Sequence, residues 1–282
     1  MSQILSIARP DSVRSVRLDT ARGTFAAFTA APPDGVPRGT ALLVPGFNGS
    51  KEDFLPLLPG LAEAGYRVVA IDQRGQYETG PASEAPSYAP EDLASDVIAL
   101  AAVLGGPVRL VGHSYGGLVS RLAVLNSPSP AITWASLTLL NFGPAAVSEP
   151  TRGRLELLLD ALRTTPVPQL WPFLRPEDGG VPEEVLTFLS DRWSRNAPEA
   201  LRLAAERMLT EPDRSAALRA CGVPASVVFG TPEETWPERE AAAMARELGA
   251  RYTEIMGGGH SPNVYEPAAV IEALTGFWDS LT

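Results

Sequence analysis

The sequence has very few of the residues that disulfides and metal sites require. Its 282 residues include one cysteine, Cys221, and two histidines, His113 and His260. A single cysteine excludes an intramolecular disulfide, and no group of histidine, cysteine and carboxylate residues has the spacing of metal ligands. A glycine-rich phosphate-binding loop is also absent. We therefore expect neither a metal ion nor a cofactor.

Positive charge and long apolar runs are scarce as well. The chain has 23 lysine and arginine residues against 33 aspartate and glutamate residues, a net charge of −10. The arginines are scattered, which argues against nucleic acid as a partner. No apolar run is long enough to span a bilayer, and the N-terminal segment lacks the pattern of a signal peptide. We expect a cytoplasmic protein with no membrane partner, and the sequence does not predict its oligomeric state.

Apolar runs of strand length alternate with segments of helical period along most of the chain. This alternation is typical of a parallel sheet flanked by helices, an α/β fold. Two weaker strands precede the apolar ones and predict an antiparallel hairpin. The predicted strands are 15–19, 24–29, 40–44, 67–71, 108–111, 135–140, 225–229 and 251–255. The predicted helices between them are 53–64, 90–104, 117–126, 237–248 and 266–281.

One long segment interrupts the alternation. Between residue 145 and Cys221 we predict no strand, only leucine-rich amphipathic stretches at 154–163, 182–193 and 198–209, separated by proline-rich breakers. We interpret residues 145–221 as a helical insertion and expect it to form a lid over a site. The core domain would then comprise residues 1–144 and 222–282.

The strongest chemical signal is a G-x-S-x-G motif at 112–116, which lies between a predicted buried strand and a predicted helix. A serine in such a tight turn needs neighbours two residues away that lack side chains. The turn would hold the Ser114 hydroxyl clear of the backbone. The start of the helix would offer N–H groups to an oxyanion. The motif therefore predicts Ser114 as a nucleophile.

A nucleophilic serine needs a general base, and only two histidines are available. His113 is adjacent to Ser114, and its side chain should leave the turn in another direction. His260 follows the last predicted strand, after three glycines at 257–259. The carboxyl ends of parallel strands meet at one edge of a sheet, so His260 is the better candidate.

With these residues in place, the chain resembles the α/β-hydrolase superfamily, specifically the small bacterial lid-bearing serine hydrolases of esterase type. The resemblance runs from about Val13 to the C-terminus. It is carried by LLVPGFNGSKEDF at 42–54, VVAIDQRGQ at 68–76, GHSYGG at 112–117 and GGGHSPNVYEP at 257–267. It implies a mostly parallel eight-stranded sheet flanked by helices, with a helical lid inserted after the sixth strand.

The resemblance also implies roles for particular residues. Glu233 occupies the position of the acid that orients the histidine, and the backbone N–H groups of Phe47 and Tyr115 would form the oxyanion hole. The chain has Pro45 where relatives commonly carry histidine before the glycine. The D-x-R-G turn at 72–75 implies a structural pair, with its aspartate and arginine bracing this end of the sheet.

Two adjacent glutamates compete for the acid's role. Capping-box spacing assigns Glu234 and Glu238 to helix starts, which leaves Glu233 without a structural role. No acidic residue follows the strand at 135–140. We therefore predict Glu233 as the acid, with Glu234 as the alternative.

The resemblance implies a serine hydrolase that cleaves a small or medium apolar carboxylic ester through an acyl-enzyme. Its partner would be a small-molecule, ester-like substrate. Two alternatives stay open at this point. The same triad could serve a non-hydrolytic carbon–carbon lyase or elimination enzyme, or the fold could belong to a ligand-binding protein that has lost turnover.

Overall fold

A single eight-stranded sheet organises the chain in the computed structural model, which describes residues 4–33, 35–80, 87–174 and 181–281. The spatial order is β1-β2-β4-β3-β5-β6-β7-β8. The first two strands form an antiparallel hairpin, β2 runs antiparallel to β4, and the remaining neighbours are parallel. The strands are β1 (Arg14–Thr20), β2 (Gly23–Ala30), β3 (Thr40–Val44), β4 (Arg67–Ile71), β5 (Val108–His113), β6 (Trp134–Leu140), β7 (Ala225–Thr231) and β8 (Arg251–Met256). The predicted mostly parallel sheet is confirmed.

Helices cover both faces of this sheet. Along β3, Leu42 and Val44 belong to one buried cluster and Ala41 and Leu43 to another, because successive side chains of a strand point to opposite faces. Helices α2 (Pro90–Leu104), α3 (Tyr115–Asn126) and α10 (Glu238–Leu248) cover the first face, and α1 (Leu58–Glu63) and α12 (Pro267–Asp279) cover the second. The continuous apolar runs in the sequence reflect this burial on two sides.

A group of helices separates β6 from β7, and the described part of this segment contains no strand. The helices are α5 (Thr151–Leu162), α6 (Trp171–Leu174), α7 (Glu183–Ser194), α8 (Pro198–Thr210) and α9 (Ser215–Ala220), with a 3₁₀ helix at Val167–Leu170. Short helices α4 (Pro130–Thr133) and α11 (Pro262–Tyr265) lie outside it. We call α5–α9 the helical insertion. Its use as a lid and its domain boundaries stay predictions.

One predicted helix is wrong in its extent. Residues 53–64 divide into a 3₁₀ helix at Lys51–Phe54 and the short helix α1. Pro56 has no N–H to donate to a carbonyl one turn earlier, and Pro59 lies in the first turn of α1, where proline is tolerated. Prolines therefore end one helix and begin the next.

Within the described residues, none of the helices has both the length and the hydropathy needed to cross a membrane.

Candidate active site

Ser114 lies in the one-residue turn between β5 and α3. Its backbone has φ 52° and ψ −122°, a conformation that non-glycine residues seldom adopt. A Cβ at Gly112 would lie 2.4 Å from the Gly116 carbonyl oxygen, and one at Gly116 would lie 2.2 Å from that of Val44. Both neighbours must therefore be glycine for the turn to form, which is the reason for the motif's spacing.

His260 reaches Ser114 from the loop after β8. Its Nε2 is 3.0 Å from the Ser114 Oγ, and its side chain is 29% exposed. The N–H of Gly257 donates to the carbonyl oxygen of Thr231 at 2.8 Å, which fastens the loop to the end of β7. The histidine is thereby held at the carboxyl edge of the sheet, close to the serine.

Glu233 completes a chain of hydrogen bonds from the opposite side of His260. Its Oε2 lies 2.6 Å from His260 Nδ1, and its Oε1 accepts the Thr235 N–H at 2.5 Å. Burial raises the pKa of Glu233, but the hydrogen bond and charge of His260, together with the Thr235 N–H and the Asn141 amide, outweigh burial and hold it at about 2. Because an ionised carboxylate only accepts, Nδ1 carries a proton, and Nε2 is the nitrogen placed to accept from the serine hydroxyl.

The structure does not bring Glu234 to His260. Its carboxylate lies 3.1 Å from Arg154 Nη2, and the side chains of this pair are 66% and 65% exposed. The predicted capping role of Glu234 is wrong, because no helix begins between β7 and α10 and the N-cap of α10 is Pro237. Because Pro237 is the N-cap, Glu238 is the first residue of α10 and not the third, so its predicted role in a capping box is also wrong.

His113 anchors the loop that carries His260. Its ring Nε2 lies 2.7 Å from the carbonyl oxygen of His260, so this nitrogen carries a proton and donates it. Burial, reinforced by the nearness of the His260 ring, lowers the pKa of His113 to about 4. A neutral His113 therefore hydrogen-bonds to the loop, whereas His260 faces the serine.

Asn141 was missed from the sequence, although it connects the two loops of the site. It follows β6 with φ 43°, and its Nδ2 donates to Glu233 Oε2 at 2.8 Å and to the Gly259 carbonyl oxygen at 2.9 Å. Its Oδ1 accepts the Gly230 N–H at 2.8 Å. Its signal in the sequence is a polar residue directly after an apolar strand, at a position where the expected triad residue is an acid.

Tyr115 and Phe47, the residues that the resemblance implies for the oxyanion hole, belong to two segments that adjoin Ser114. Tyr115 is the first residue of α3, so its N–H is one of the donors that a helix leaves without an intrahelical acceptor. Phe47 belongs to the loop after β3 and lines the same cavity as Ser114. A Cβ at Gly46 would lie 3.1 Å from Ser114 Cβ, so this loop passes close against the serine.

The predicted pairing of Asp72 with Arg74 is wrong. Asp72 accepts from Lys51 Nζ at 3.0 Å, and Arg74 donates to Asp96 at 2.7 and 2.6 Å. All four side chains are buried, and each charge is paired across the fold instead of within the turn. The turn still braces this edge of the sheet, through two pairs instead of one.

A cavity of about 1100 Å³ opens onto Ser114, His260 and Glu233. About half of its lining residues belong to the helical insertion, and most of these are apolar. The buried apolar residues that the insertion contributes are Leu155, Leu158, Leu170, Trp193 and Met208. Within the described ranges, no three histidine, cysteine or carboxylate residues are grouped as metal ligands would be. The geometry suits acyl transfer to a serine beside an apolar chamber.

Most of the chain matches a known protein family. Residues 41–273 match the model described as the alpha/beta hydrolase family. The "Putative carbamate hydrolase RutD" of Variovorax paradoxus (strain S110) is 40% identical over 111 residues, and this alignment spans only 39% of either protein. The pimeloyl-[acyl-carrier protein] methyl ester esterase of Neisseria meningitidis serogroup B (strain H44/76) is 26% identical over 82% of this chain and 88% of its own length.

A solved structure extends the similarity to the whole fold. The esterase EaEST from Exiguobacterium antarcticum superposes with a TM-score of 0.75, covering 94% of this chain and 100% of that one. Its sequence identity is 17%, so the likeness concerns the fold alone.

Proposed function

The chain belongs to the alpha/beta hydrolase family and is a hydrolase. We propose that it is a serine hydrolase that cleaves a small or medium apolar carboxylic ester. The observation that carries the proposal is the continuous hydrogen-bonded chain from Ser114 through His260 to Glu233, with distances of 3.0 and 2.6 Å. These residues would form a Ser-His-Glu catalytic triad.

In the proposed reaction, Ser114 Oγ attacks the ester carbonyl carbon and His260 Nε2 takes the hydroxyl proton. Glu233 stabilises the resulting imidazolium through Nδ1. The backbone N–H groups of Phe47 and Tyr115 would receive the oxyanion of the tetrahedral intermediate, and one such donor changes the rate by about 10²- to 10³-fold in comparable enzymes.

Collapse of that intermediate releases the alcohol, which takes its proton from His260, and leaves an acyl group on Ser114. His260 then removes a proton from a water molecule, which attacks the acyl carbon. The second tetrahedral intermediate collapses to the free acid and regenerates the serine hydroxyl. The reaction consumes one water molecule and needs no oxidant or reductant.

The helical insertion supports the substrate class. Its apolar residues line the same cavity as Ser114, so an apolar acyl or alcohol group would lose water on binding there. We propose residues 145–221 as the lid, with 1–144 and 222–282 as the core domain. Relatives named for hydrolysis of a methyl ester and of a carbamate are consistent with transfer of a carbonyl group to water.

Labelling with a fluorophosphonate, combined with turnover of p-nitrophenyl esters from acetate to dodecanoate, tests the proposal. We expect the wild-type protein to be labelled and to hydrolyse at least one ester, and Ser114→Ala to lose both. Ser129→Ala, an exposed serine at the start of α4, should behave as wild type.

Two outcomes would contradict the proposal. Labelling of Ser114 without turnover of any ester would favour the lyase or the ligand-binding alternative. Retention of ester turnover by Ser114→Ala would remove the serine from the mechanism.

A further inference from the structure

Two glutamine side chains hold the loop that carries the proposed oxyanion donor Phe47. Both lie in the turn after β4, and both are buried, with 3% of Gln73 and 7% of Gln76 exposed. Gln73 Nε2 donates to the carbonyl oxygen of Pro45 at 2.8 Å, and Gln76 Nε2 donates to that of Gly46 at 2.8 Å. Two consecutive peptide groups are thus fixed by side chains from another part of the chain.

The orientation of the Gln76 amide is settled by its own neighbours. Its Oε1 accepts the backbone N–H of Gln73 at 3.1 Å, so the NH₂ group must be the end that faces Gly46. The Gly46 carbonyl oxygen also accepts the N–H of Gly49 at 3.1 Å. Two donors therefore converge on one carbonyl oxygen, which is as many as its lone pairs can serve.

This carbonyl oxygen belongs to the same peptide group as the Phe47 N–H, since the peptide unit joins Gly46 to Phe47. The peptide group is planar, so fixing its oxygen also fixes the direction of its N–H. A donor at the oxygen polarises the group and makes the N–H a stronger donor in turn. Gln76 thereby acts on the Phe47 N–H without approaching the substrate.

We propose that Gln76 is a positioning residue for the oxyanion hole, with Gln73 supporting the preceding peptide at Pro45. The inference rests on the proposed function, because it concerns the same tetrahedral intermediate. Neither glutamine is among the described residues that line the cavity, so a contact with substrate does not account for them. The two glutamines also supply polar contacts to this loop, which the side chain of Pro45 cannot make.

The decisive measurement is the rate ratio between an ester and its thionoester, compared in wild type and Gln76→Met. Methionine fills a similar volume without a donor. Sulfur is a poorer hydrogen-bond acceptor than oxygen, so an intact oxyanion hole favours the oxygen ester. We expect Gln76→Met to lower kcat by about 10- to 100-fold, to change KM by less than about threefold, and to reduce the ester preference.

Two further variants make the result specific. Gln169→Glu, at an exposed glutamine of the insertion, is the matched control and should keep the wild-type ratio. Gln76→Glu offers a donor only while its carboxyl is protonated, so its ratio should return toward the wild-type value as the pH falls. It also tests the inference independently of the methionine variant.

The possible failures are distinguishable. If wild-type protein hydrolyses neither substrate, the proposed function falls and this inference falls with it. If wild type is active and the Gln76 variants lose activity with an unchanged ester-to-thionoester ratio, the glutamine is only a structural brace. Unchanged kcat in a folded Gln76→Met would also overturn the inference while leaving the proposed function intact.

Discussion

The edge of the sheet that carries the proposed triad, here called the catalytic edge, and the helical insertion meet at the same cavity, but they contribute to it by different physical means. Ser114, Glu233 and His260 each follow a strand and are held by hydrogen bonds of 2.5 to 3.0 Å. The insertion instead presents apolar side chains on helices, several of which pack in a small cluster of their own that includes Leu158 and Trp193. Proton transfer requires short fixed distances, whereas an apolar wall requires only volume. We therefore expect the edge to be far less tolerant of substitution.

The two regions are joined by buried charge. Arg121 of α3 donates to Glu211 at the end of α8 with Nη2 2.6 Å from Oε1, and their side chains are 0% and 1% exposed. Arg192 of α7 pairs in the same way with Asp53 of the core at 2.6 Å. The insertion is thus fastened by ion pairs to the helix that begins after Ser114 and to the segment after β3.

The largest expected effect belongs to the catalytic edge. Glu233→Gln should lower kcat by about 10³- to 10⁴-fold with the fold intact, because an amide can stabilise the wrong tautomer of His260. Steady-state kinetics and circular dichroism would measure it. Its matched control, Glu234→Gln, removes an exposed pair with Arg154 and no hydrogen bond of His260, and its kcat should stay within about twofold of wild type. The reverse pattern would exchange the roles assigned to these glutamates.

The next largest effect concerns the junction. Glu211→Ala leaves the buried Arg121 without its acid, and breaking such a pair costs about 3–5 kcal/mol of unfolding free energy. Urea denaturation would measure the loss. Glu206→Ala breaks a half-exposed pair with Arg202 on α8 and should cost less than about 1 kcal/mol. Equal losses would mean that the insertion is not fastened through this pair.

A third prediction concerns stability in acid. The pKa of Glu233 is about 2 in the folded protein against an ordinary value of 4.5, so folding favours the ionised form. The resulting stabilisation is complete above pH 4.5, decreases as the pH falls toward 2 and is absent below it. It amounts to about 3 kcal/mol. Urea denaturation at pH 7 and pH 3 should therefore show a shallower loss for Glu233→Gln than for wild type, and parallel losses would contradict the assignment.

The smallest effect belongs to the insertion. Leu158→Trp reduces the volume of the cavity without touching the triad, so kcat/KM for long p-nitrophenyl esters should fall by about tenfold relative to the acetate. The rate of labelling by a small fluorophosphonate should change by less than about threefold. A loss of labelling equal to the loss of turnover would show that a substitution in the cavity wall also disturbs the catalytic edge.

Sequence predicted the sheet well because its strands are buried on both faces and therefore appear as near-continuous apolar runs. The proximity of Ser114 and His260 followed from the rule that parallel strands end at one edge, whereas the position of Glu233 was implied by the family resemblance. Asn141 and the pairing of Asp72 with Lys51 did not follow, because they depend on contacts between segments far apart in the chain. Local capping spacing predicted a helix start after β7, but hydrogen bonds from Thr235, His260 and Asn141 fix Glu233 in a loop instead.

The Arg121–Glu211 pair also restricts which substitutions at these two positions, and which replacements of the insertion, the protein can tolerate. Its two charges lie on opposite sides of the boundary between insertion and core. The insertion therefore cannot be replaced by another segment joined at the same two ends without regard to the core. A foreign insertion would need an acid at the place of Glu211, or a neutral residue at 121 in compensation. The two positions should therefore vary together across relatives, even though neither is among the residues that line the cavity.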